Sequence, residues 1–171
     1  MWRTPLVDPN LKEINISYLK EGQVAIVSLN RPQKHNALTF DTFFQLQTVF
    51  KYLGRSGSDV RAIIFTGEGK NLTAGIDLFV APMDLLKLRE KEEETDPGRA
   101  AIMFIPVAVN VQNAILEMEK VRVPVIAAIN GLCLGAGNDL ISSCDIRICQ
   151  ANSRFSIKEV DIGMASDIGI H

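Results

Sequence analysis

The sequence predicts an α/β layer fold in a single domain that spans residues 1–171. Two short apolar runs rich in β-branched residues, at 60–66 and 123–129, each lead into glycines. Segments with apolar residues at helical spacing accompany these runs, and strands that alternate with helices are typical of a sheet with crossover connections. The length of 171 residues and the hydrophobic content of 47% suffice for one substantial core.

The first elements are a hairpin and a helix. Alternating apolar residues at 14–19 and 24–29, separated by Glu21-Gly22, predict two antiparallel strands. A polar loop at 30–36 follows. Apolar residues then recur at helical spacing from Phe43 to Leu53, with Thr39 or Asp41 as the N-cap and Gly54 as the stop. This pattern predicts an amphipathic helix packed on a sheet.

The later elements repeat the strand and helix alternation. The runs at 60–66 and 123–129 suit strands that are buried on both faces. Between them the sequence predicts a helix over 106–121. We expect this helix to begin at Pro106, because a proline in a helix interior costs about 3 kcal/mol.

Composition excludes several classes of function. A net charge of -2 and no overall basic field argue against a nucleic-acid partner. Three cysteines without a CxxC pair argue against a disulfide framework or a zinc ribbon, and favour a reducing compartment. No apolar run of about 18 residues occurs, so we expect a soluble, intracellular protein that neither spans a membrane nor is secreted. His35 and His171 form no ligand cluster, so no metal is expected.

Two glycine-rich loops, 67–78 and 130–140, have the same construction of strand, glycines and helix. Such loops bring unpaired N–H groups to a helix N-terminus, where anions and developing oxyanions are stabilised. Neither loop has the dinucleotide fingerprint, because Leu140 stands where glycine or alanine is needed, and no GxxxxGK[ST] occurs.

Asp139, Glu159 and Asp167 lie in stretches that are otherwise mostly apolar, small or glycine. If the fold gathers them, they form an acid/base site beside the N–H donors of the glycine loops. Asp77 and Asp145 are better explained as helix or turn caps. Asp161 would share the face of Glu159 in a regular strand, so the chain must bend between them if Asp161 is a surface acid.

Several motifs occur in one order over nearly the whole chain after residue 14. The motifs are Asn30-Arg31-Pro32, Asn36-Ala37-Leu38, Thr73-Ala74-Gly75-Ile76-Asp77-Leu78, Pro124-Val125-Ile126-Ala127-Ala128 with Gly131, Gly135-Ala136-Gly137-Asn138-Asp139-Leu140, Cys144-Asp145-Ile146-Arg147, and Lys158-Glu159-Val160-Asp161-Ile162-Gly163 with Asp167. Together they closely resemble the enoyl-CoA hydratase/isomerase (crotonase) superfamily. Within that superfamily the last motif is most similar to the Δ3,5-Δ2,4-dienoyl-CoA isomerases, as are the aspartate at 139 and the third acid at 167.

The resemblance implies a spiral ββα fold whose site holds the thioester oxygen of an acyl-CoA between the backbone N–H groups of Ile76 and Ala136. It implies that Asp167 and Glu159 move protons at C2 and C6 of a 3,5-dienoyl-CoA, and that Asp139 supports them. Further substrate contacts would come from in or next to the polar loop 30–36 and from the first glycine-rich loop; they are Lys34, Ala37, Ala74, Ile76 and Asp77. Arg31, Lys34 and Lys70 are the candidate contacts to the CoA phosphates, although isolated lysines are more often solvated surface than ligands.

The resemblance also implies no cofactor apart from the CoA of the substrate, a homotrimer or hexamer, and a mitochondrial or peroxisomal setting in fatty-acid β-oxidation. The family continues past the last acid into a C-terminal helical region that this sequence lacks. Two alternatives therefore stay open: an enoyl-CoA hydratase, or a crotonase-like module without turnover.

Overall fold

The computed structural model describes residues 11–54, 59–79 and 97–162. In these ranges a five-stranded sheet and a two-stranded sheet are accompanied by three α-helices, which confirms the α/β prediction. The elements are β1 (Ile14–Leu19), β2 (Val24–Leu29), α1 (Phe40–Leu53), β3 (Ala62–Gly67), α2 (Pro97–Glu119), β4 (Val125–Ile129), β5 (Leu132–Leu134), α3 (Ala136–Ser142), β6 (Ile146–Cys149) and β7 (Arg154–Ser156).

The larger sheet has the order β1-β2-β3-β4-β6. The predicted hairpin is confirmed, because β1 pairs antiparallel with β2, Ile14 opposite Leu29. All other neighbours are parallel, with Val24 opposite Ala62 and Ile63 opposite Val125. Parallel strands have their carboxyl ends at one edge, so the loops that follow β2, β3 and β4 meet there.

Helix α1 forms as the sequence predicts. Thr39 is its N-cap: the Thr39 hydroxyl accepts the Thr42 N–H at 3.1 Å, and the Thr42 hydroxyl accepts the Thr39 N–H at 3.0 Å. Gly54 ends the helix. Its apolar face is buried, and the Phe50 ring meets the Phe65 ring of β3 edge to face, with centroids 6.3 Å apart. The core therefore lies between this helix and the sheet.

The predicted start of the next helix was wrong. Helix α2 begins at Pro97 rather than at Pro106, and Pro106 lies inside it. The apolar face that anchors the helix comes after Pro106, where Val111, Ile115 and Met118 are buried. A proline at 106 removes the hydrogen bond to the carbonyl of residue 102. The packing of this buried face offsets the local cost of the proline.

The two-stranded sheet positions the loops of the candidate site. Strands β5 and β7 pair parallel, with Cys133 opposite Phe155. An isolated parallel bridge adds Thr73 to β5 opposite Cys133. The three segments therefore run in the same direction, and the residues that follow them come together at one end: 75–76, 135–136 and 157–159.

Candidate active site

Three asparagines hold together the loops that follow β2, β3 and β4. Asn36 is buried in the loop after β2, and Asn71 and Asn130 lie in the loops after β3 and β4. Because these amides bond backbone groups of other loops, they fix the loops without regular secondary structure. The hydrogen bonds are Arg31 N–H to Asn36 Oδ1 at 2.8 Å, Asn36 Nδ2 to Glu68 O at 2.9 Å and to Asn71 O at 2.7 Å, Leu132 N–H to Asn71 Oδ1 at 3.0 Å, and Asn130 Nδ2 to Gly69 O at 2.8 Å.

The N–H of Ile76 takes no part in the parallel bridge between Leu38 and Ile76. The Leu38 N–H donates to Gly75 O and the Asp77 N–H donates to Leu38 O, each at 2.8 Å. Successive peptide groups of an extended segment face opposite sides, so the Ile76 N–H faces away from Leu38. Among the described residues it has no acceptor.

The N–H of Ala136 is the first donor of helix α3. The N-cap, Gly135, has φ 51° and ψ -128°, a conformation open mainly to glycine. Its own N–H donates to Ser156 O at 2.8 Å, whereas the Ala136 N–H has no acceptor in the described part of the chain. A first-turn N–H of this kind is available to an anionic or polarised oxygen.

The two segments that carry these donors are in contact. A methyl group built onto Gly75 would lie 3.0 Å from Leu134 O and 3.7 Å from Gly135 Cα. Gly75 has φ +90°, so its conformation and its close approach both favour glycine. The structure thus brings together the segments of the predicted donors Ile76 and Ala136.

Glu159 lies against the same turn. Its Oε1 would be 3.0 Å from a methyl group built onto Gly135, next to the Ala136 N–H. The residue is 9% exposed, and its Oε2 is buried without a hydrogen-bond partner among the described residues. A buried carboxylate oxygen without a partner is costly, and such groups occur at functional sites.

The chain bends directly after Glu159, as the surface position of Asp161 requires. A 3-10 turn, Glu159–Ile162, replaces a strand here. Asp161 is exposed and its carboxylate pairs with the Lys158 ammonium at 2.6 Å. The two acids therefore face different environments: Glu159 faces the loops and Asp161 faces solvent.

The other two predicted acids have different outcomes. Asp139 is half-buried on α3, one turn after Ala136. Its negative charge contributes to the raised pKa of the buried Cys133 thiol, and its role in the site stays a prediction. Asp167 lies outside the described residues, so its place in the site stays a prediction.

Arg31, predicted as a candidate for a CoA phosphate contact, is engaged inside the protein. Its guanidinium pairs with Glu13 at 3.3 Å and with Asp77 at 3.1 Å, and it donates to Ala37 O. The side chain is only 16% exposed. The predicted phosphate contact is therefore wrong, because Arg31 connects the loop after β2 to the segment that carries Ile76.

Asp77 serves as the predicted turn cap, since its Oδ1 accepts the Phe79 N–H at 3.1 Å. Its carboxylate is turned toward Arg31, so a contact from it to substrate stays a prediction. Asp145 is not a helix cap; its Oδ2 accepts the Val125 N–H at 2.8 Å, at the start of β4.

The remaining predicted substrate contacts lie in or next to the loops that follow β2 and β3. Lys34 is exposed in the 3-10 turn Pro32–Lys34, Lys70 is exposed in the loop after β3, and Ala37 is half-buried. The Ala74 N–H donates to His35 O at 2.9 Å, which joins the first two loops. The binding role of these residues stays a prediction.

The asparagines were not among the residues that the sequence predicted for the site. Asn138 donates from Nδ2 to Gly135 O at 3.2 Å and to Ser156 O at 2.9 Å. The partners of these amides are backbone groups, which no sequence pattern marks, so no signal was available.

Among the described residues, no group of three or more His, Cys, Asp or Glu could hold a metal ion. None of the described helices has the length and apolar content to cross a membrane.

The chain belongs to the enoyl-CoA hydratase/isomerase family, whose sequence model matches residues 20–171. It is 38% identical over 162 residues to the mitochondrial Δ3,5-Δ2,4-dienoyl-CoA isomerase of Rattus norvegicus, covering 95% of this chain and 48% of that protein. It is 36% identical over 155 residues to the short-chain enoyl-CoA hydratase of Clostridium acetobutylicum, covering 91% of this chain and 54% of that protein.

Solved structures of the family share the fold. A protein from Thermobifida fusca, crystallised in complex with acetoacetyl-CoA, is 28% identical with a TM-score of 0.72, and the match covers 91% of this chain and 58% of that one. The crotonase-like core that the sequence predicts is thereby confirmed. The chain spans about half the length of the curated relatives that it matches.

Proposed function

We propose that this protein isomerises 3,5-dienoyl-CoA to 2,4-dienoyl-CoA in fatty-acid β-oxidation. The observation that carries the proposal is the position of the Glu159 carboxyl group, buried against the Gly135 turn that presents the Ala136 N–H. An acid beside a paired oxyanion site is what proton transfer next to a thioester requires. The similarity to the dienoyl-CoA isomerase of Rattus norvegicus supports the choice of substrate.

The reaction needs one stabilised intermediate and two proton transfers. Hydrogen bonds from the Ile76 and Ala136 N–H groups to the thioester oxygen acidify the protons on C2. Removal of one C2 proton gives a dienolate whose charge spreads over C2, C4, C6 and the oxygen. Return of a proton at C6 leaves double bonds at C2–C3 and C4–C5, so atoms and charge balance.

The acids divide these transfers. We assign the C2 proton to Asp167 and the C6 proton to Glu159, with Asp139 as a supporting and polarising charge. Glu159 Oε2 has no hydrogen-bond partner among the described residues, so this oxygen can carry the transferred proton. Acid/base groups of this kind contribute about 10²–10⁴-fold in rate.

Binding would use the CoA portion of the substrate and no other cofactor. The acetoacetyl-CoA complex of the Thermobifida fusca protein supports a CoA thioester as the ligand class. Lys34, Ala37, Ala74, Ile76 and Asp77 would line its path. We further propose a homotrimer or hexamer, in mitochondria or peroxisomes, in keeping with the mitochondrial relative.

An enoyl-CoA hydratase is the second candidate, favoured by the similarity to the Clostridium acetobutylicum enzyme. A hydratase adds water across the double bond of a 2-enoyl-CoA. The family resemblance leads us to expect glutamate at both 139 and 159 in a hydratase, whereas this chain has aspartate at 139. A family module without turnover is the third possibility.

The test is an assay of the 171-residue protein with 3,5-dienoyl-CoA and, separately, with crotonyl-CoA. We expect the absorbance of the conjugated 2,4-dienoyl product to appear, and Glu159→Gln to lower its rate by at least about 10²-fold. Asp161→Asn is the matched control, because Asp161 is a solvent-facing acid two residues away. It should leave the rate unchanged.

Each other outcome points to a different function. Hydration of crotonyl-CoA without isomerisation would identify a hydratase. No turnover of either substrate by the folded protein would favour the module without activity. Equal losses in the Glu159 and Asp161 variants would remove Glu159 from the chemistry.

A further inference from the structure

One amide side chain bonds both parts of the candidate site. Asn138 is half-buried in the first turn of α3. Its Nδ2 donates to Gly135 O at 3.2 Å and to Ser156 O at 2.9 Å. Its backbone N–H also donates to Gly135 O, at 2.8 Å. The Gly135 carbonyl thus accepts two hydrogen bonds from a single residue.

The orientation of this amide is fixed by its surroundings. Both acceptors are carbonyl oxygens, so only the NH₂ end of the amide can face them. On the other side Oδ1 lies 3.9 Å from Cys133 Sγ, where the thiol donates. Burial, aided by the charge of Asp139, raises the pKa of the Cys133 thiol to about 12, so this donor keeps its proton at neutral pH.

The Gly135 carbonyl and the Ala136 N–H belong to the same peptide unit. A trans peptide unit is planar, and its C=O and N–H point in opposite directions. Two hydrogen bonds that hold the Gly135 carbonyl therefore also set the direction of the Ala136 N–H. The direction of this donor decides whether it meets a thioester oxygen.

The second acceptor connects the donor to the acid. The Ser156 carbonyl accepts both the Gly135 N–H at 2.8 Å and Asn138 Nδ2. Ser156 ends β7, and Glu159 follows three residues later with its carboxyl group against Gly135. The Asn138 side chain therefore connects the Gly135 turn, which presents the Ala136 N–H, to the segment that carries Glu159.

We infer that Asn138 is a positioning residue: it aims the Ala136 N–H at the thioester oxygen and holds the Glu159 segment beside it. This inference rests on the proposed function in taking an acyl-CoA thioester as the ligand. It does not depend on which reaction follows, because any thioester held between Ile76 and Ala136 would be polarised by the same donor.

Three substitutions separate positioning from folding. Asn138→Asp keeps the shape but replaces the NH₂ donor by an acceptor that faces two carbonyl oxygens. Asn138→Ala removes the side chain beyond Cβ, and Asn138→Gln keeps the amide on a longer stem. Asn152→Ala is the control, because Asn152 is an exposed asparagine in the turn before β7.

The readouts are kcat with 3,5-dienoyl-CoA and the absorption spectrum of bound 2,4-dienoyl-CoA, scaled to the amount of ligand bound. Polarisation of the thioester carbonyl shifts that absorption to longer wavelength, and only folded protein binds. We expect Asn138→Asp and Asn138→Ala to lose most of the shift and about 10²-fold in kcat, the cost of misplacing a reacting group by about 1 Å. Asn138→Gln should retain more of both, and Asn152→Ala should match the parent protein.

The result that overturns the inference is a full spectral shift and unchanged kcat in Asn138→Asp. Absence of any shift in the parent protein would overturn it as well, because no polarising donor would then exist to position. A parent protein that shows the shift but no isomerisation would refute the proposed reaction. In that case loss of the shift in Asn138→Asp would still support the positioning role.

Discussion

Arg31 joins two carboxylates that would otherwise repel each other inside the protein. Glu13 precedes β1 and Asp77 follows the Ile76 donor, and both bond the Arg31 guanidinium. All three side chains are mostly buried, so solvent screens their charges little. This cluster fixes the segment that carries Ile76, the first of the two predicted oxyanion donors.

Replacement of Arg31 should therefore destabilise the fold rather than weaken CoA binding directly. We expect Arg31→Ala to lower the free energy of unfolding by about 3 kcal/mol or more, because it leaves two buried carboxylates without their cation. Urea unfolding measures the loss. The control is Lys120→Ala: the Lys120 side chain, which pairs with Glu117, is 60% exposed, so its loss should cost less than about 1 kcal/mol. Unchanged stability with a raised KM would instead restore Arg31 as a phosphate contact.

Single residues of the site were predictable where their chemistry conflicted with their surroundings. Glu159 could be identified because an acid in an apolar stretch is costly unless it is used. Asn36 and Asn138 could not, because their partners are backbone groups. Asn36 bonds the Glu68 carbonyl, 32 residues away, and no sequence pattern marks such a partner.

At the scale of elements, local signals decided what could be predicted. Helix α1 has a capping threonine, a periodic apolar face and a terminal glycine, and all three agree with the structure. The predicted start of helix α2 was nine residues too late because the proline rule weighs only the local cost and not the packing of the rest of the helix. The stretch around Pro106 is exposed, and the buried contacts farther along stabilise the helix enough to include it.

The small sheet of β5, β7 and the Thr73 bridge was not predicted at all. Its strands are three residues long, so they carry no periodicity that a sequence can show. Yet this sheet, rather than the larger one, brings residues 75–76, 135–136 and 159 together. The sequence therefore predicts candidate residues for the site, whereas their assembly depends on pairings between distant segments.

The whole molecule should lose stability at alkaline pH through two thiols. Burial raises the pKa of Cys133 and of Cys144 from 9.0 to about 12. Above pH 9 the unfolded chain releases these protons while the folded protein keeps them. The free energy of unfolding should then fall by about 1.4 kcal/mol per pH unit for each thiol, and these thiols should have no effect below pH 9.

Urea unfolding between pH 8 and pH 10.5 measures this slope. Cys144→Ala should make it shallower by about 1.4 kcal/mol per pH unit above pH 9. Cys149→Ala is the control, because Cys149 is exposed on β6 and should leave the slope unchanged. Equal slopes in the parent and Cys144→Ala proteins would contradict a buried, proton-retaining thiol at this position.

The central claim is that two main-chain amides and one carboxyl group surround the same thioester. The most direct test is a crystal structure of this protein with acetoacetyl-CoA bound. We predict the thioester oxygen at about 2.7–3.1 Å from the nitrogens of both Ile76 and Ala136, with the Glu159 carboxyl group facing the acyl chain. A thioester oxygen that contacts neither amide, or an acyl chain on the far side of Gly135 from Glu159, would contradict the account.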